Sequence, residues 1–114
     1  MIFVLHGFDR PGDGAELRQR TRAAHLRYVL ANPGVIRFGG PLLDDAGQAI
    51  GSVMLVTLPD RAALDRFLRE EPYCRSGLFQ PLQVHASRQV APELAPGLLV
   101  RELAREELAA FAEC

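Results

Sequence analysis

The chain has 114 residues, of which 48% are hydrophobic and 24% are charged, and these values are ordinary for one globular domain. The formal net charge of −1 gives no excess of basic charge to attract nucleic acid or an anionic membrane, and the chain has no Trp and only two Tyr to stack on bases. All 13 basic residues are Arg, so no lysine can form a Schiff base. We therefore expect neither nucleic acid nor a membrane among the partners.

The N-terminal stretch and the cysteines indicate the compartment. The sequence MIFVLHGFDR has an apolar run of only four residues with no basic residue before it, so it does not predict a signal peptide. No stretch approaches the ~20 apolar residues of a membrane-spanning helix. Cys74 and Cys114 have neither the spacing of a metal site nor that of a disulfide framework. These features favour a cytoplasmic, reduced protein.

A strand and a helix are predicted first. The apolar stretch IFVLHG (2–7) favours a strand, and DRPGDG (9–14) is typical of a turn. A helix is predicted from Ala15 to about Asn32, because NPG (32–34) is a helix stop. Its core-facing positions share the spacing i, i+4, i+7, i+11 and are Leu17, Thr21, Ala24 and Tyr28.

A hairpin comes next. VIRFGGPLL (35–43) predicts a strand interrupted by its glycines, DDAGQ (44–48) a turn, and AIGSVMLVTL (49–58) a second strand. The two glycines of FGGP (38–41) permit close backbone approach or a bulge. As a phosphate-binding signal they are weak, because no helix follows them.

The second predicted helix is PDRAALDRFLREE (59–71), with Asp60 as its cap. Its inner face consists of the apolar residues Ala63, Leu64, Phe67 and Leu68. Pro72 disfavours helical backbone at Glu71 and so marks the end of the helix.

The last predicted strand of the domain is LFQPLQVHA (78–86), in which Pro81 predicts an edge position or a bulge. The order β-α-β-β-α-β over residues 1–87 is the ferredoxin-like α+β arrangement, with a four-stranded antiparallel sheet and both helices on one face. The first strand is apolar on both sides and VMLV (53–56) does not alternate, whereas a sheet with one wet face should alternate. We therefore expect a second copy to cover the other face, giving a homodimer.

A tail follows this domain. Residues 88–97 form a proline-marked linker, and 98–114 predict an amphipathic helix. One stripe of this helix is apolar and comprises Val100, Ala104, Leu108 and Phe111. Such stripes usually pack on their own domain or across a dimer; a lid or a partner-docking helix is the other possibility.

Three histidines and one cysteine are the candidates for chemistry, since no GxSxG, HExxH or P-loop motif is present. His6 and His85 lie in predicted strands, where a single His is more often structural than catalytic. His25 lies in mid-helix at the border of the core stripe, with Arg22 three residues earlier on the same side. Spacing alone still favours a structural or solvated role for His25. Cys74 is expected to be a buried apolar filler rather than a reactive thiol.

Five short motifs follow one another along the chain: RAAHL (22–26), FGGPL (38–42), GSVMLV (51–56), FLREEPYCRSGLF (67–79) and LQVHA (82–86). In order and spacing, over about residues 1–87, they resemble the YciI-like (YCII-related) family of small bacterial proteins. The resemblance implies a dimeric α+β barrel, in which the sheets of two ferredoxin-like subunits meet face to face. That expectation agrees with the two-sided strands.

The resemblance also implies the residues of a site. The family has a His and an acid as its candidate catalytic pair, and these positions correspond to His25 and to Glu71, which precedes Pro-Tyr. Glu replaces the family Asp, and the added methylene changes the reach of the carboxylate by about one bond length. Arg22 would contact the substrate or buttress Glu71. Tyr73 and His6 complete the expected substrate-binding residues.

Two functions are open at this point. The first is a cofactor-free enzyme in which His25 and Glu71 transfer a proton during isomerisation or elimination on a small cyclic or aromatic molecule, as the resemblance implies for some relatives. The second is a non-catalytic small-ligand-binding or accessory module, in which the same pair is a structural hydrogen bond. Two ligands are too few for a closed metal site, so no metal is expected. A cavity beside His25 and a distance of about 3 Å to Glu71 would favour the enzyme.

Overall fold

The computed structural model describes residues 1–112 and has four strands and four helices in that range. The elements in chain order are β1 (Ile2–Phe8), α1 (Gly14–Ala31), β2 (Ile36–Leu43), β3 (Ala49–Thr57), α2 (Arg61–Glu70), α3 (Pro72–Arg75), β4 (Gln83–Ser87) and α4 (Leu98–Ala112). The sheet order is β2-β3-β1-β4, and every neighbouring pair is antiparallel. The predicted ferredoxin-like α+β fold with a C-terminal helix is confirmed.

One face of the sheet carries the hydrophobic core. Alternate residues of β1 and β3 point to this face, as the two-residue period of a strand requires, and they are buried, whereas their neighbours are only partly buried. The largest contributions come from Phe3, Leu5, Met54 and Val56 of the sheet and from Leu17, Leu64 and Phe67 of the helices. The helical stripes predicted for the core face inward in α1 and α2.

The N-terminus of α2 has the predicted cap. The Asp60 side chain accepts a hydrogen bond from the backbone N–H of Ala63 at 2.9 Å, in the extended backbone conformation usual for this position. This bond satisfies one of the N–H groups that have no partner within the helix.

The opposite face of the sheet is open in the single chain. Val4 lies beside Leu55 on one side and beside His85 on the other, and His6 lies beside Val53. These side chains are half-buried or exposed, and Phe38 at the edge is 57% exposed. The apolar side chains of this face leave water only if another chain or element packs against them.

The predicted end of the second helix is confirmed: Glu71 is the C-cap of α2, and the chain makes a further helical turn, α3, after Pro72. Two other details were wrong. The glycines of β2 do not interrupt the strand; its irregularities lie between Ile36 and Phe38 and between Leu42 and Leu43 instead. The last strand was predicted over 78–86, but β4 begins only at Gln83.

The late start of β4 has a physical reason in Pro81. Leu78 O accepts from Arg10 N, and an isolated bridge joins Asp9 to Phe79, so pairing begins before the proline. Pro81 has no N–H to donate, and regular pairing resumes only at Gln83 opposite His6. Two residues lie between His6 and Asp9, whereas three lie between Phe79 and Gln83, so one extra residue bulges here on an edge strand, as Pro81 predicts.

Helix α4 lies apart from the core. All its described residues are exposed, including the predicted stripe members Val100 at 71%, Leu108 at 70% and Phe111 at 80%. The expectation that it packs on its own domain is therefore wrong for the single chain. The last two residues of the predicted helix, Glu113 and Cys114, lie outside the described residues. Within residues 1–112, no helix combines the length and the apolar character needed to cross a bilayer.

Candidate active site

Glu71 lies at the junction of two helices. Its backbone is extended, with φ −64° and ψ 122°, as expected before a proline, so it ends α2 and at the same time caps α3. One carboxylate oxygen, Oε2, accepts from the backbone N–H of Cys74 at 2.9 Å. The acid therefore lies at the N-terminal end of a helical turn, where negative charge is favourable, and not only at the C-terminal end of α2.

The other carboxylate oxygen of Glu71 binds His25. The distance from Oε1 to Nδ1 of His25 is 2.5 Å, a short hydrogen bond. Glu71 is 0% exposed and the His25 side chain is 16% exposed. Glu71 thus reaches the histidine, so the methylene that Glu has in addition to the Asp implied by the resemblance does not prevent the contact.

The environment of Glu71 keeps it ionised. Burial by itself raises the pKa of this carboxyl, but the hydrogen bonds from His25 and from the Cys74 N–H favour the charged form more strongly and leave the pKa below its usual value. An ionised carboxylate can only accept, so His25 donates from Nδ1 and presents Nε2 in its unprotonated form when the ring is neutral. No residue in the range 1–112 hydrogen-bonds to Nε2.

The ring of Tyr73 packs against the face of the His25 imidazole. The two rings stack with centroids 4.0 Å apart and an interplanar angle of 15°. Tyr73 is only 2% exposed, and Phe79 packs edge-on against it. The His25 ring is therefore fixed by a hydrogen bond and by a stacked neighbour, which is the arrangement that a positioned acid–base group requires.

Cys74 is not a nucleophile in this site. Burial raises the pKa of its thiol strongly, and the negative charge of Glu71 raises it further. The residue packs against the core. These observations agree with the predicted role as an apolar filler.

A cleft of about 370 Å³ opens beside His25, between α1 and the strands β2 and β3. Its lining includes Arg18, Arg22, His25, Phe38, Ser52 and Tyr73. Four of the five residues predicted for the site, His25, Glu71, Arg22 and Tyr73, therefore meet at or directly behind this cleft. Arg22 is exposed and does not hydrogen-bond to Glu71, so in this structure it does not buttress the acid.

His6 is not brought to the cleft. It lies on the open face of the sheet, where its ring is 6.4 Å from that of His85 at an interplanar angle of 28°. The sheet separates it from His25 because β1 turns alternate side chains to opposite faces and Phe3 and Leu5 take the helix side. The prediction of His6 as a substrate-binding residue of this cleft thus has no support within one chain.

Arg18 is a residue of the cleft that the sequence did not indicate. Its guanidinium donates through Nε and Nη2 to the two oxygens of Asp9, each at 2.7 Å, and through Nη2 to Ser52 Oγ at 2.9 Å. The Asp9 hydrogen bond raises the pKa of Arg18 above its usual value. The only sequence signal is the spacing of Arg18, Arg22 and His25 at i, i+4 and i+7, which places all three on one side of α1.

The described part of the chain, residues 1–112, contains no cluster of three or more His, Cys, Asp or Glu side chains that could hold a metal ion. The arrangement around His25 can instead perform proton transfer. A fixed imidazole with one nitrogen bound to a buried carboxylate and the other facing a cleft is the usual form of a histidine general base.

The fold and the site together define a class: a small ferredoxin-like α+β protein with a histidine–carboxylate pair at a cleft between its first helix and its sheet. Within that class the family is defined by sequence. Residues 1–88 match the YCII-related domain, and the chain belongs to this family.

Solved structures similar to this chain share its ferredoxin-like α+β fold. The 5-chloro-2-hydroxyhydroquinone dehydrochlorinase TftG from Burkholderia phenoliruptrix AC1100, in complex with 2,5-dihydroxybenzoquinone, is 26% identical with a TM-score of 0.70; the match covers 82% of this chain and 99% of TftG. SnoaB, a cofactor-independent oxygenase from Streptomyces nogalater, is 19% identical with a TM-score of 0.50, over 81% of this chain and 97% of SnoaB, and shows the fold alone. Among curated proteins, none matches the sequence of this chain.

Proposed function

We propose that this protein is a cofactor-free enzyme in which His25, oriented by Glu71, transfers a proton during elimination or isomerisation on a small ring compound. The observation that carries the proposal is the 2.5 Å bond between His25 Nδ1 and the fully buried Glu71 at the wall of a cleft. A volume of about 370 Å³ is at the lower end of the range for small-molecule sites and suits a single substituted ring.

The proposed chemistry begins at His25 Nε2. This nitrogen takes a proton from the bound ring compound, and the imidazolium that forms is stabilised by the Glu71 carboxylate at the other nitrogen. In an elimination, the electron pair released by the lost proton forms a new π bond while the leaving group departs with its own bonding pair. The step removes one proton and one anion, so it needs no oxidant or reductant. Positioned acid–base catalysis of this kind contributes about 10²–10⁴ in rate.

The similarity to TftG supports the choice of substrate class. That protein is a dehydrochlorinase of a hydroxylated ring, and its match with this chain extends over almost its whole length. A second nearby group supports recognition of such rings: Arg22 lies on the cleft wall with its guanidinium exposed, where it can bind a ring oxygen.

We also propose that the enzyme is a homodimer whose subunits meet through the open sheet face that carries Val4, Leu55 and Phe38. The half-buried and exposed apolar side chains of this face support this proposal. In such a dimer His6 and His85 would lie at the interface between the sheets, away from the proton-transfer cleft.

The test is chloride release from 5-chloro-2-hydroxyhydroquinone under anaerobic conditions, measured for the wild type, His25→Gln and Glu71→Gln. We expect the wild type to accelerate release and His25→Gln to lower the rate about 10²–10⁴-fold. Glu70→Gln is the matched control for Glu71→Gln, because Glu70 is exposed, immediately precedes Glu71 and does not line the cleft, and it should retain the wild-type rate. Equal rates for the wild type and His25→Gln would refute the catalytic role. Ligand binding without any turnover would favour the non-catalytic binding module.

A further inference from the structure

Arg18 is held in a fixed position, and one nitrogen of its guanidinium, Nη1, remains available as a donor. Asp9 and Ser52 together occupy Nε and Nη2 of its guanidinium, and the Arg18 and Asp9 side chains are only 11% and 9% exposed. Nη1 makes no hydrogen bond to any residue of the described range 1–112, although Arg18 lines the cleft. The side chain is therefore a preorganised donor whose position is fixed before any ligand arrives.

The Tyr73 hydroxyl is the one buried side-chain polar atom without a hydrogen-bond partner among the residues that the structure describes. Tyr73 is 2% exposed and lines the same cleft. Buried hydroxyl groups in proteins are nearly always hydrogen-bonded, so an exception requires a reason. The stacking on His25 needs the ring of this residue but not its hydroxyl.

These two groups are neighbours. The guanidinium carbon of Arg18 lies 5.1 Å from the centroid of the Tyr73 ring. The guanidinium therefore lies beside the ring of Tyr73, and both residues line the same cleft.

The charge of the lining favours an anion. The residues that line the cleft include three arginines, Arg18, Arg22 and Arg37, and no Asp or Glu. Asp9 balances Arg18, whereas Arg37 has only the neutral partner Gln89 and Arg22 forms no ion pair in the described residues. The cleft therefore keeps an excess of positive charge.

We propose that Arg18 and Tyr73 bind a negatively charged oxygen of a planar ring substrate, an enolate or phenolate, and so select anionic hydroxylated rings over neutral ones. The proposal rests on the proposed function in one respect, that the bound ring is the one on which His25 acts. Negative charge that grows on the ring oxygen as His25 removes a proton would then be stabilised by Arg18 Nη1 and the Tyr73 hydroxyl.

The test uses Tyr73→Phe, which keeps the ring that stacks on His25 and removes only the hydroxyl. The probe is 2,5-dihydroxybenzoquinone, which is anionic at neutral pH, and the neutral comparison is 1,4-dihydroxybenzene; both affinities are measured by calorimetry. We expect Tyr73→Phe to weaken binding of the anion about tenfold and to leave the melting temperature unchanged or higher, because an unpaired buried hydroxyl is lost. Tyr28→Phe is the matched control and should bind like the wild type, since Tyr28 does not line this cleft.

A spectroscopic measurement gives an independent result. In Tyr28→Phe, Tyr73 is the one remaining tyrosine, so its ¹³Cζ resonance can be assigned without ambiguity. We expect this resonance to shift when the anionic probe binds, because the hydroxyl gains a hydrogen bond. An unmoved resonance, or an affinity of Tyr73→Phe within twofold of the wild type, would overturn the proposal.

The outcomes separate this proposal from the proposed function. Binding that depends on Tyr73, without turnover of any chlorinated ring, would refute the enzyme and support the anion site. Turnover that depends on His25, with binding indifferent to Tyr73→Phe, would refute the anion site and support the enzyme. Equal affinity of the wild type for the neutral and the anionic ring, or no binding of the anion at millimolar concentration, would also overturn the anion site.

Discussion

The bond between Glu71 and His25 should be measurable as stability. Glu71→Gln keeps the size of the side chain but leaves one acceptor oxygen where two N–H donors, those of His25 and Cys74, now have one each. The amide NH₂ group must then face one of these donors. A hydrogen bond to a charged group contributes about 1.5–3 kcal/mol, so we expect the free energy of unfolding at pH 7 to fall by about that amount. Urea titration of both proteins measures it.

The contribution of Glu71 to stability should depend on pH, and the lowered pKa of its carboxyl determines in which direction. Because the pKa of Glu71 is lowered in the folded state, its contribution is fully present above the unfolded carboxyl pKa of about 4.3 and is lost as the pH falls through the lower folded value. The stability advantage of the wild type over Glu71→Gln should thus persist above about pH 5 and shrink toward pH 3. A difference that is absent at pH 7, or that does not shrink in acid, would refute the reasoning.

The neighbouring acid supplies the control. Glu70 immediately precedes Glu71 in the chain and is exposed, so Glu70→Gln should change the free energy of unfolding by no more than about 0.5 kcal/mol. A double-mutant cycle with His25→Asn then isolates the pair, for which we expect a coupling of about 1.5 kcal/mol or more. A coupling near zero would mean that Glu71 stabilises the fold only as the cap of α3.

Three further predictions follow from burial and exposure. In Cys114→Ser, the remaining Cys74 thiol should resist iodoacetamide at pH 8 in the folded protein and react on unfolding in urea, because burial raises its pKa; rapid labelling of the folded protein would contradict this. Asp9→Asn should cost about 3 kcal/mol or more in a urea titration, because it leaves the Arg18 charge buried without its partner. Asp13→Asn, in an exposed ion pair, should change the stability little, and equal losses for both would be the contrary result. Removing α4 should leave the unfolding midpoint unchanged, whereas a lower midpoint or a smaller assembly by light scattering would show that α4 packs on a second copy.

The parts of the fold that could be predicted are those whose signal is local and periodic. The stripe of α1 and the Asp60 cap of α2 follow from spacing and side-chain chemistry within one element, and the structure confirms both. The start of β4 could not be predicted, because Leu78 and Phe79 do pair with Asp9 and Arg10, just after β1, before Pro81 breaks the ladder. The composition of a segment does not show at which position of a sheet a proline, which has no N–H, is tolerated.

Some residues of the site could likewise be predicted from the sequence, and others could not. The series of motifs was sufficient to predict the pairing of His25 with Glu71, 46 positions apart, because the resemblance that they carry implies a histidine and an acid at these two positions. Arg18 remained hidden because its partners, Asp9 and Ser52, belong to different segments and only the folded sheet brings them together. His6 stays an untested prediction: the residue type is suitable, but within one chain the parity of β1 turns it away from the cleft.

An acid at the end of a helix is unfavourable only when that helix is considered alone. A carboxylate at the C-terminus of α2 costs about 0.3–1 kcal/mol in exposed positions. As the cap of α3, Glu71 recovers about 0.5–2 kcal/mol through the Cys74 N–H, and its charge-assisted bond to His25 adds about 1.5–3 kcal/mol. The favourable terms exceed the cost because Pro72 forces the chain out of α2 at this residue and starts a new turn. The proline therefore determines where the carboxylate lies, and the same backbone step that ends one helix places the partner of His25.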